Sequence, residues 1–428
     1  MSKHRFDVIR VWLQTTGGIV ATLILVQFLT GILLAFYYVP SVDHAHTTVS
    51  YMEKVVSSGS WLRSLHHYGS QWLALFAFLH VVQLFLLKAY TDRRISWIAA
   101  VVMLGLVMAA AGTGYSLPWD VRAFFSTRVA EGLMAGLPFG GRLARLWLLG
   151  GNEISTITLS RFFALHVLVM PFAIVGVVVW RLFRSARWSN VNRNAMAGGL
   201  VFVALAIWCL KFPAPFGPPV ESMTADYLPR PGAQFLWLYQ MLKYVPGGLG
   251  SIVGVALPGI GLGILLLLPF LKAKRLLGST VLAAFAVIIL TMTAAAHLSD
   301  RRDSRTREQL ARQTAQESAW RNEPFNPKLL QSSQLGSQNS NEGGAPVMFV
   351  KFCANCHGAR GEGGQQGPLK FPPLLDVAAK PRRTADDIVA LLKDPAAYGL
   401  QPPMRSFADK LTEAEMKEIA AWVVQLKR

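Results

Sequence analysis

Near its C-terminal end, the 428-residue chain contains Cys353-Ala-Asn-Cys356-His357, whose residue types and spacing suit covalent attachment of haem. Two thiols at this spacing can add to the two vinyl groups of the macrocycle, and the adjacent imidazole can bind the iron. A disulfide or a zinc half-site is the alternative interpretation. Zinc would need a second pair of ligands, and the third cysteine, Cys209, lies in an apolar stretch. The motif therefore predicts one covalent haem c.

A second axial ligand for this haem has to come from elsewhere in the domain. No histidine follows His357, so the thioether of Met404, in a proline-rich segment, is the best candidate. Met416 lies within residues 412–427, which have the pattern of an amphipathic helix with a threonine cap and an acidic first turn. Met416 is therefore expected to pack in the core rather than to bind iron.

Four histidines lie in or at the ends of strongly apolar segments, namely His66, His67, His80 and His166. A histidine inside a membrane helix is a functional candidate, although a single one is more often a hydrogen-bonded core residue. His66 and His80 are 14 residues apart, which is about 21 Å and nearly four helical turns. Both are expected on one helix face, at the spacing of two stacked haems with one ligand each.

The composition of the chain indicates that these histidines lie in membrane helices. Hydrophobic residues make up 52% of the chain and charged residues only 15%, which argues against an ordinary soluble enzyme. Uncharged stretches long enough to span a bilayer predict seven transmembrane helices. These stretches are 11–42, 64–87, 95–119, 162–180, 194–210, 244–271 and 276–299.

The formal net charge of +18 would by itself suggest a nucleic-acid partner, but its distribution predicts topology instead. The segments 1–14, 88–94, 181–193 and 272–275 hold 13 Lys and Arg in 38 residues, whereas the alternate loops hold 10 in 106. The denser set should face the cytoplasm. This predicts a multi-pass protein of the bacterial inner membrane, with a cytoplasmic N-terminus, a periplasmic C-terminal domain and no nucleic acid bound.

The pattern divides the chain into four parts and predicts an all-α fold. Residues 1–193 form a four-helix haem b domain, 194–298 a three-helix part, 299–345 a polar tether, and 346–428 a small all-α haem c domain. The tether is rich in Arg, Gln, Ser, Asn and Gly, so it is expected to be mobile or partly helical.

Four segments, in order, make the membrane part resemble cytochrome b of the bc and bf complexes, closest to the photosynthetic type with its three-helix subunit. They are LHHYG at 65–69 with FLH at 78–80, GYSLPWD at 114–120, LSRFFALH at 159–166 and DYLPRP at 226–231. The C-terminal domain resembles class I cytochromes c. The first resemblance covers about residues 1–298.

The resemblance implies two haems b, each held by one histidine from the second helix and one from the fourth. At the outer haem it implicates His66 and His166 as iron ligands, Arg63 and Arg161 beside the propionates, and Gly31 and Gly114 against the macrocycle. It also implies partners: a quinone, other subunits of a bc-type complex including a Rieske iron–sulfur protein, an electron-accepting cytochrome or oxidase, and a second copy in a dimer.

The inner haem pocket departs from the family. The histidine expected 14 or 15 residues after His166 is replaced by Trp180 or Arg181, and a glycine expected 14 residues before Gly114 is Ala100. Neither Trp180 nor Arg181 is an ordinary iron ligand. We therefore expect an inner haem at His80 to be absent or five-coordinate, and one haem b for each haem c.

The quinol loop is altered as well. The family sequence Pro-Glu-Trp-Tyr is here Pro231-Gly232-Ala233-Gln234, and the amide of Gln234 cannot serve as a carboxylate base. The preferred function is a membrane electron-transfer subunit of a quinol–cytochrome c oxidoreductase-type complex, with degenerate inner-haem and quinol-oxidation motifs. The alternatives are a mainly structural partner of a complete cytochrome b in a respiratory or photosynthetic complex, and a haem b membrane anchor for a separate catalytic subunit.

Overall fold

In a computed structural model, the chain forms two compact units, Met1–Ser333 and Gln334–Arg428. The structure describes residues 15–184, 191–220, 227–327 and 345–426, except for 359, 367–368, 376, 378–382, 401–403 and 405. Regular structure in these residues is almost entirely helical, which confirms the predicted all-α class.

The membrane unit contains seven described helices that are long and apolar enough to cross a bilayer, as the uncharged stretches predict. Each has at least 20 residues, and 20 residues of helix span about 30 Å, the thickness of the hydrocarbon core. They are Thr16–Ala35, Gly59–Leu86, Arg94–Tyr115, Thr156–Arg184, Asn192–Lys211, Gly247–Phe270 and Lys274–Arg302. We call them the first to the seventh membrane helix.

Shorter helices connect the membrane helices or follow them. They are Ala45–Lys54, Ala89–Asp92, Val121–Ala135, Gly141–Leu149, Ala233–Leu242 and Ser304–Asn322. The fourth membrane helix changes to a π-helical turn at Leu165–Val169, and the sixth contains one at Ile252–Ala256. Such turns are frequent at functional sites, and the one in the fourth membrane helix contains His166.

The first five membrane helices share an apolar core. Leu23, Leu73, Val107, Ile174 and Leu205 are buried there, one from each helix in order. Leu73 is seven residues from both His66 and His80, so it lies midway between them along the second membrane helix. The core therefore forms an apolar layer between two polar sites at opposite ends of the bundle.

The segment predicted to be a tether, 299–345, starts within the seventh membrane helix and continues as a 19-residue helix, Ser304–Asn322. Asp303 caps it by accepting hydrogen bonds from the backbone amides of Arg305 and Thr306. The helix packs on the membrane unit, where Lys54 Nζ donates to the carbonyl of Trp320 over 2.7 Å. The first half of the predicted tether is thus helical and docked.

The C-terminal unit is a small helical domain with one short hairpin. Its helices are Val347–Phe352, Ala354–His357, Ala385–Lys393 and Glu413–Gln425, with a 3₁₀ turn at Pro395–Tyr398, and its antiparallel strands are β1 (Gly364–Gln366) and β2 (Leu369–Phe371). Thr412 and Glu415 form a capping box at the last helix, as predicted. Met416 is 3% exposed and packs in the core, where we expected it.

Candidate haem sites

The structure brings His66 and His166 together at one end of the bundle. Their ring centroids lie 5.9 Å apart and the ring planes meet at 78°. The uncharged stretch 64–87 predicts His66 at the start of its helix. The helix instead begins at Gly59, seven residues before His66. His166 lies in the π-helical turn of the fourth membrane helix. These are the two histidines that the family resemblance implies as a pair.

Hydrogen bonds fix which nitrogen of His66 carries its proton. The hydroxyl of Thr30 donates to the carbonyl of Val26 over 2.6 Å, so its oxygen can accept the proton of His66 Nδ1, 2.9 Å away. The Nε2 atom of His66 therefore keeps its lone pair. A second hydrogen-bonding partner that orients the ring in this way is typical of metal-binding histidines.

His166 also carries its proton on Nδ1, but it donates it to a backbone carbonyl rather than to a threonine hydroxyl. Its Nδ1 lies 2.9 Å from the carbonyl oxygen of Ala110, which can only accept, so Nδ1 donates and Nε2 keeps its lone pair. Two imidazoles with available Nε2 atoms on facing helices can bind one iron from both sides. The arrangement fits a bis-histidine haem b.

Glycines border both rings. A Cβ atom added to Gly31 would lie 3.1 Å from His66 Cε1, and one added to Gly114 would lie 3.0 Å from His166 Nε2, with closer contacts to the rest of that ring. Any larger residue would displace the imidazoles. Gly31 and Gly114 therefore leave room for the two rings, and their place against a macrocycle, which the resemblance implies, remains a prediction.

His67 differs from its neighbour. Its Nε2 lies 3.0 Å from the side-chain nitrogen of Gln71, and its ring makes an edge contact with Tyr68. The amide nitrogen of Gln71 can only donate, so His67 Nε2 accepts and its lone pair is used. His67 is a hydrogen-bonded structural residue.

His80 lies at the opposite end of the bundle from His66. Its Nδ1 is 2.9 Å from Thr16 Oγ1 and 3.1 Å from Gln83 Oε1, and the Thr16 hydroxyl also donates to Gln83. Since Gln83 Oε1 can only accept, Nδ1 of His80 carries the proton. A Cβ atom on Gly17 would come 3.2 Å from His80 Cε1.

Arg63, which the resemblance implies beside a propionate, makes its described contacts with protein groups, and its pairing with a propionate remains a prediction. Its Nε pairs with Glu53, and its Nη2 donates to the carbonyls of Ala214 and Pro215 over 2.9 and 3.2 Å. Both side chains of the ion pair are buried, 8% exposed for Arg63 and 3% for Glu53. Burial alone would raise the pKa of Glu53, but the charge and hydrogen bond of Arg63 lower it below its usual value.

This ion pair should contribute strongly to stability at neutral pH. Glu53→Gln leaves Arg63 buried without its counter-charge, so we expect the free energy of unfolding to fall by about 3 kcal/mol or more. The pKa of Glu53 is lowered on folding, so its contribution is present above the unfolded value of about 4.3 and disappears as the pH falls below it.

The measurement is thermal unfolding of the purified chain in detergent at pH 7 and pH 4. The difference in thermal stability between wild type and Glu53→Gln should be smaller at pH 4 than at pH 7. Asp43→Asn, which changes an exposed carboxylate, is the control and should leave stability unchanged. Equal stability of Glu53→Gln and wild type at pH 7 would contradict the role given to the pair.

Arg161 is the second arginine implied at the propionates. It is exposed, lies on the fourth membrane helix five residues before His166, and its Nη1 donates to the carbonyl of Trp147. Its other nitrogens are not engaged by that bond. Pairing of Arg161 with a propionate remains a prediction, and the contacts leave it better placed for this than Arg63.

A polar cluster lies beside the altered quinol loop. Arg122 pairs with Glu317 over 2.6 Å and bonds Tyr227, and its charge acts on the ring hydroxyl of Tyr115. Burial alone would lower the pKa of Arg122, but Glu317 and the other neighbours raise it. Gln234 Oε1 is buried next to Gly232, whose Cβ would contact Tyr115 Cε2 at 3.3 Å. The described part of the loop thus lies beside the ion pair of Arg122 and Glu317.

Sequence reasoning missed Glu317, because the segment around it was expected to be a tether. The signal available was Asp303 as a helix cap, followed by 19 residues without Gly or Pro. Which surface this helix contacts could not be inferred from that signal.

We expect Glu317→Gln to loosen the helix Ser304–Asn322. A hydrogen bond between charged groups contributes about 1.5–3 kcal/mol, so amide hydrogen exchange in this helix should accelerate about tenfold to a hundredfold. Mass-spectrometric exchange on the purified chain measures this. Glu308→Gln, an exposed change on the same helix, should have no effect. Unchanged exchange in Glu317→Gln would show that the pair does not hold the helix.

The C-terminal unit places three of its predicted haem residues in suitable surroundings. Nδ1 of His357 lies 3.0 Å from the carbonyl of Pro372, a contact that orients an imidazole to bind metal through Nε2. Cys353 is buried, and Met404 packs against the cluster that contains it. The side chain of Cys356 lies outside the described residues. Thioether attachment and a methionine ligand remain predictions that these positions suit.

These sites differ from those of simple metal ions. Over the described ranges, no three His, Cys, Asp or Glu side chains come together to hold a metal ion. A haem iron needs only two axial protein ligands, because the macrocycle supplies the other four. A haem site is therefore expected to contain one or two histidines beside glycine rather than a cluster of three or more ligating side chains.

Comparison with known proteins identifies both units. The family model described as cytochrome b/b6/petB matches residues 2–186, and the cytochrome c model matches 342–427. The menaquinol:cytochrome c reductase cytochrome b subunit of Geobacillus thermodenitrificans is 33% identical over 186 residues, 43% of this chain and 80% of that protein. Cytochrome b6 of Prochlorococcus marinus strain NATL1A is 37% identical over 185 residues, 43% of this chain and 82% of that protein.

A solved structure supports the fold. A chain of a hyperthermophilic respiratory Complex III aligns with a TM-score of 0.53 and 21% identity, covering 72% of this chain and 89% of that one. The region that the cytochrome b/b6/petB model matches, residues 2–186, includes His66, His80 and His166. The chain belongs to the cytochrome b/b6 family and carries a cytochrome c domain at its C-terminal end.

Proposed function

We propose that this chain is a membrane electron-transfer subunit of a quinol–cytochrome c oxidoreductase-type complex. In this proposal, His66 and His166 hold an outer-side haem b, and the C-terminal unit holds a covalent haem c. The observation that carries it is the histidine pair, with ring centroids 5.9 Å apart and both Nδ1 atoms bound to protein oxygens. An inert scaffold would not need two imidazoles with available Nε2 atoms.

Haem iron in such sites supplies one-electron oxidation and reduction. The residues of the chain position it and exclude water. Thr30 orients the imidazole of His66, and the carbonyl of Ala110 orients that of His166. Gly114 lets the third membrane helix approach the ring of His166. The apolar core around Leu73 separates this site from the end of the bundle at His80.

A quinol is the proposed electron donor because a relative is named as a menaquinol:cytochrome c reductase subunit. In this chain, Gly232 stands where the family has a carboxylate, and the nearby Glu317 is paired with Arg122. Bifurcated quinol oxidation, in which the two electrons take separate routes, is therefore not proposed for the chain alone; the chain is proposed to pass electrons from quinol to its own haems. Other subunits, including a Rieske-type iron–sulfur protein, would complete the reaction.

The altered loop also favours a second candidate function. A mainly structural subunit, paired with a complete cytochrome b, would tolerate both Gln234 and an Arg63 committed to Glu53. In either case the proposed location is the bacterial inner membrane, with the N-terminus in the cytoplasm and the cytochrome c domain outside it. The dense Lys and Arg segments support this orientation.

The test is anaerobic incubation of the purified oxidised chain with menaquinol, followed by optical spectra. Electron transfer predicts that the haem c absorption changes to the reduced form. A chain that stays oxidised with menaquinol, but is reduced by dithionite, would favour the structural role. Ubiquinol in a parallel sample tests whether the choice of quinone explains a negative result.

A further inference from the structure

The altered quinol loop has Gly232 where the family has a carboxylate, so a proton acceptor has to come from outside the loop. Among the described residues, two carboxylates, Asp120 and Glu317, lie close enough to Arg122 beside this loop to act on it electrostatically. A quinol can pass its protons only to a group that is free to accept them. The hydrogen bonds of the two carboxylates distinguish them in this respect.

Asp120 is committed to the backbone. Its Oδ1 accepts a hydrogen bond from the amide of Ala123 over 2.8 Å and so caps the helix Val121–Ala135. Its Oδ2 accepts from the amide of Gly217 over 3.0 Å, and the residue is buried. Both oxygens are therefore occupied by backbone amides, and a proton on Asp120 would weaken the cap and the contact with Gly217.

Glu317 is placed differently, because it comes from the docked helix Ser304–Asn322. Its Oε1 accepts a hydrogen bond from Arg122 Nη2 over 2.6 Å, and the bonds made within the described residues leave its Oε2 available. Its side chain is 18% exposed, so it contacts water as well as the buried cluster. A group that removes protons from a substrate has to deliver them to water, and Glu317 meets both requirements.

The same cluster contains a hydrogen-bond donor and an acceptor without protein partners. Within the part of the chain that the structure describes, Arg122 Nε and Gln234 Oε1 are buried and unpaired. Such groups are rare in folded proteins and call for a ligand or water. A quinol has two hydroxyls, so it can accept from Arg122 Nε and donate to Gln234 Oε1. Since Nε and Nη2 belong to one rigid guanidinium, an oxygen bound at Nε would lie next to the carboxylate of Glu317 bound at Nη2.

We propose that Glu317 accepts the protons that a quinol releases at the altered loop, while Arg122 and Gln234 hold the quinol. This deepens the proposed function and rests on it, because it assumes that quinol reduces the chain. The O–H bond of the quinol breaks, a new O–H bond forms on Glu317 Oε2, and Glu317 passes the proton to the surrounding water before it takes the second one. One quinol thus becomes a quinone with the loss of two protons and two electrons, and the electrons reduce ferric haem b and ferric haem c to the ferrous form.

The test is the rate at which menaquinol reduces the haem c of the purified full chain, followed anaerobically by stopped flow. A positioned general base typically accelerates a reaction about a hundredfold or more, so Glu317→Ala should slow the reduction by about that factor. Formate, a small carboxylate that fits the space left by the alanine, should raise the rate of Glu317→Ala about tenfold or more and leave wild type unchanged. Formate cannot restore a lost helix contact, so this recovery separates a proton acceptor from a structural residue.

Lys54→Gln is the matched control, because it removes another contact of the same helix, the bond to the carbonyl of Trp320, and changes no carboxylate. It should be reduced by menaquinol at nearly the wild-type rate. Dithionite, which needs no proton acceptor, should reduce both haems in every variant and so reports correct folding.

Equal rates of reduction by menaquinol in wild type and Glu317→Ala would overturn the proposal. A slow Glu317→Ala variant that formate does not accelerate would overturn it as well, since the defect would then come from the loosened helix. Both results leave the proposed function standing, because wild type is still reduced by menaquinol. A wild-type chain that dithionite reduces and menaquinol does not would overturn the proposed function and this inference together.

Discussion

Replacing His166 with alanine should abolish the low-spin haem b signal of the purified chain and leave the covalent haem c unchanged. The imidazole supplies one of two axial ligands, and His66 lies directly opposite it, with ring centroids 5.9 Å apart. Removing only the hydrogen-bond partner of a metal ligand weakens metal binding about tenfold to a hundredfold. Removing the ligand itself should weaken binding at least as much. Electron paramagnetic resonance and pyridine haemochrome analysis measure both haems in one sample.

His67→Ala is the matched control for this result. His67 lies beside His66 in sequence, but its Nε2 bonds Gln71, so its loss should leave both haem signals in place. The haem c content of each sample reports correct folding of the rest of the chain. A low-spin haem b signal that survives in His166→Ala would show that another residue binds the iron.

The second large effect is expected at Gly114. A valine there would place its Cβ within 3.0 Å of His166 Nε2 and closer to the rest of the ring, where the third membrane helix leaves no space. The imidazole has to move, and a site of this kind tolerates only small displacements of its ligands. Gly114→Val should therefore remove the outer haem b almost as completely as His166→Ala does, although no ligand has been changed.

The same membrane helix offers a control. A Cβ at Gly105 would meet nothing within 4 Å, so Gly105→Val should leave haem content and spectra unchanged. Both variants add the same side chain to the same helix, which removes helix propensity as an explanation of any difference. Equal haem b content in Gly114→Val and wild type would mean that the ring of His166 is not held where the structure has it.

Periodic and local features were predictable from the sequence. The seven membrane helices follow from the lengths of the uncharged stretches, and the last helix of the C-terminal unit from its threonine cap and acidic first turn. The fourteen-residue interval between His66 and His80 places them on one face, and the structure gives both the same surroundings. Each of these features depends on residues close together in the chain.

Contacts between distant segments were not predictable in this way. Arg63 binds Glu53 and the carbonyl of Ala214, about 150 residues away, and its position in the sequence beside a histidine gave no sign of these contacts. Glu317 reaches Arg122 across 195 residues because a segment with a polar composition folds into a docked helix. The hydroxyl of Thr30, which orients His66, has no sequence signature that separates it from other membrane threonines.

The central claim is that electrons reach the haem c of this chain by way of the site at His66 and His166. Anaerobic stopped-flow mixing of the oxidised chain with menaquinol, following haem b and haem c together, tests it most directly. We predict that haem b and then haem c are reduced in wild type and Gly105→Val, and that reduction of haem c slows at least tenfold in His166→Ala. Equal rates of haem c reduction in wild type and His166→Ala would contradict the account.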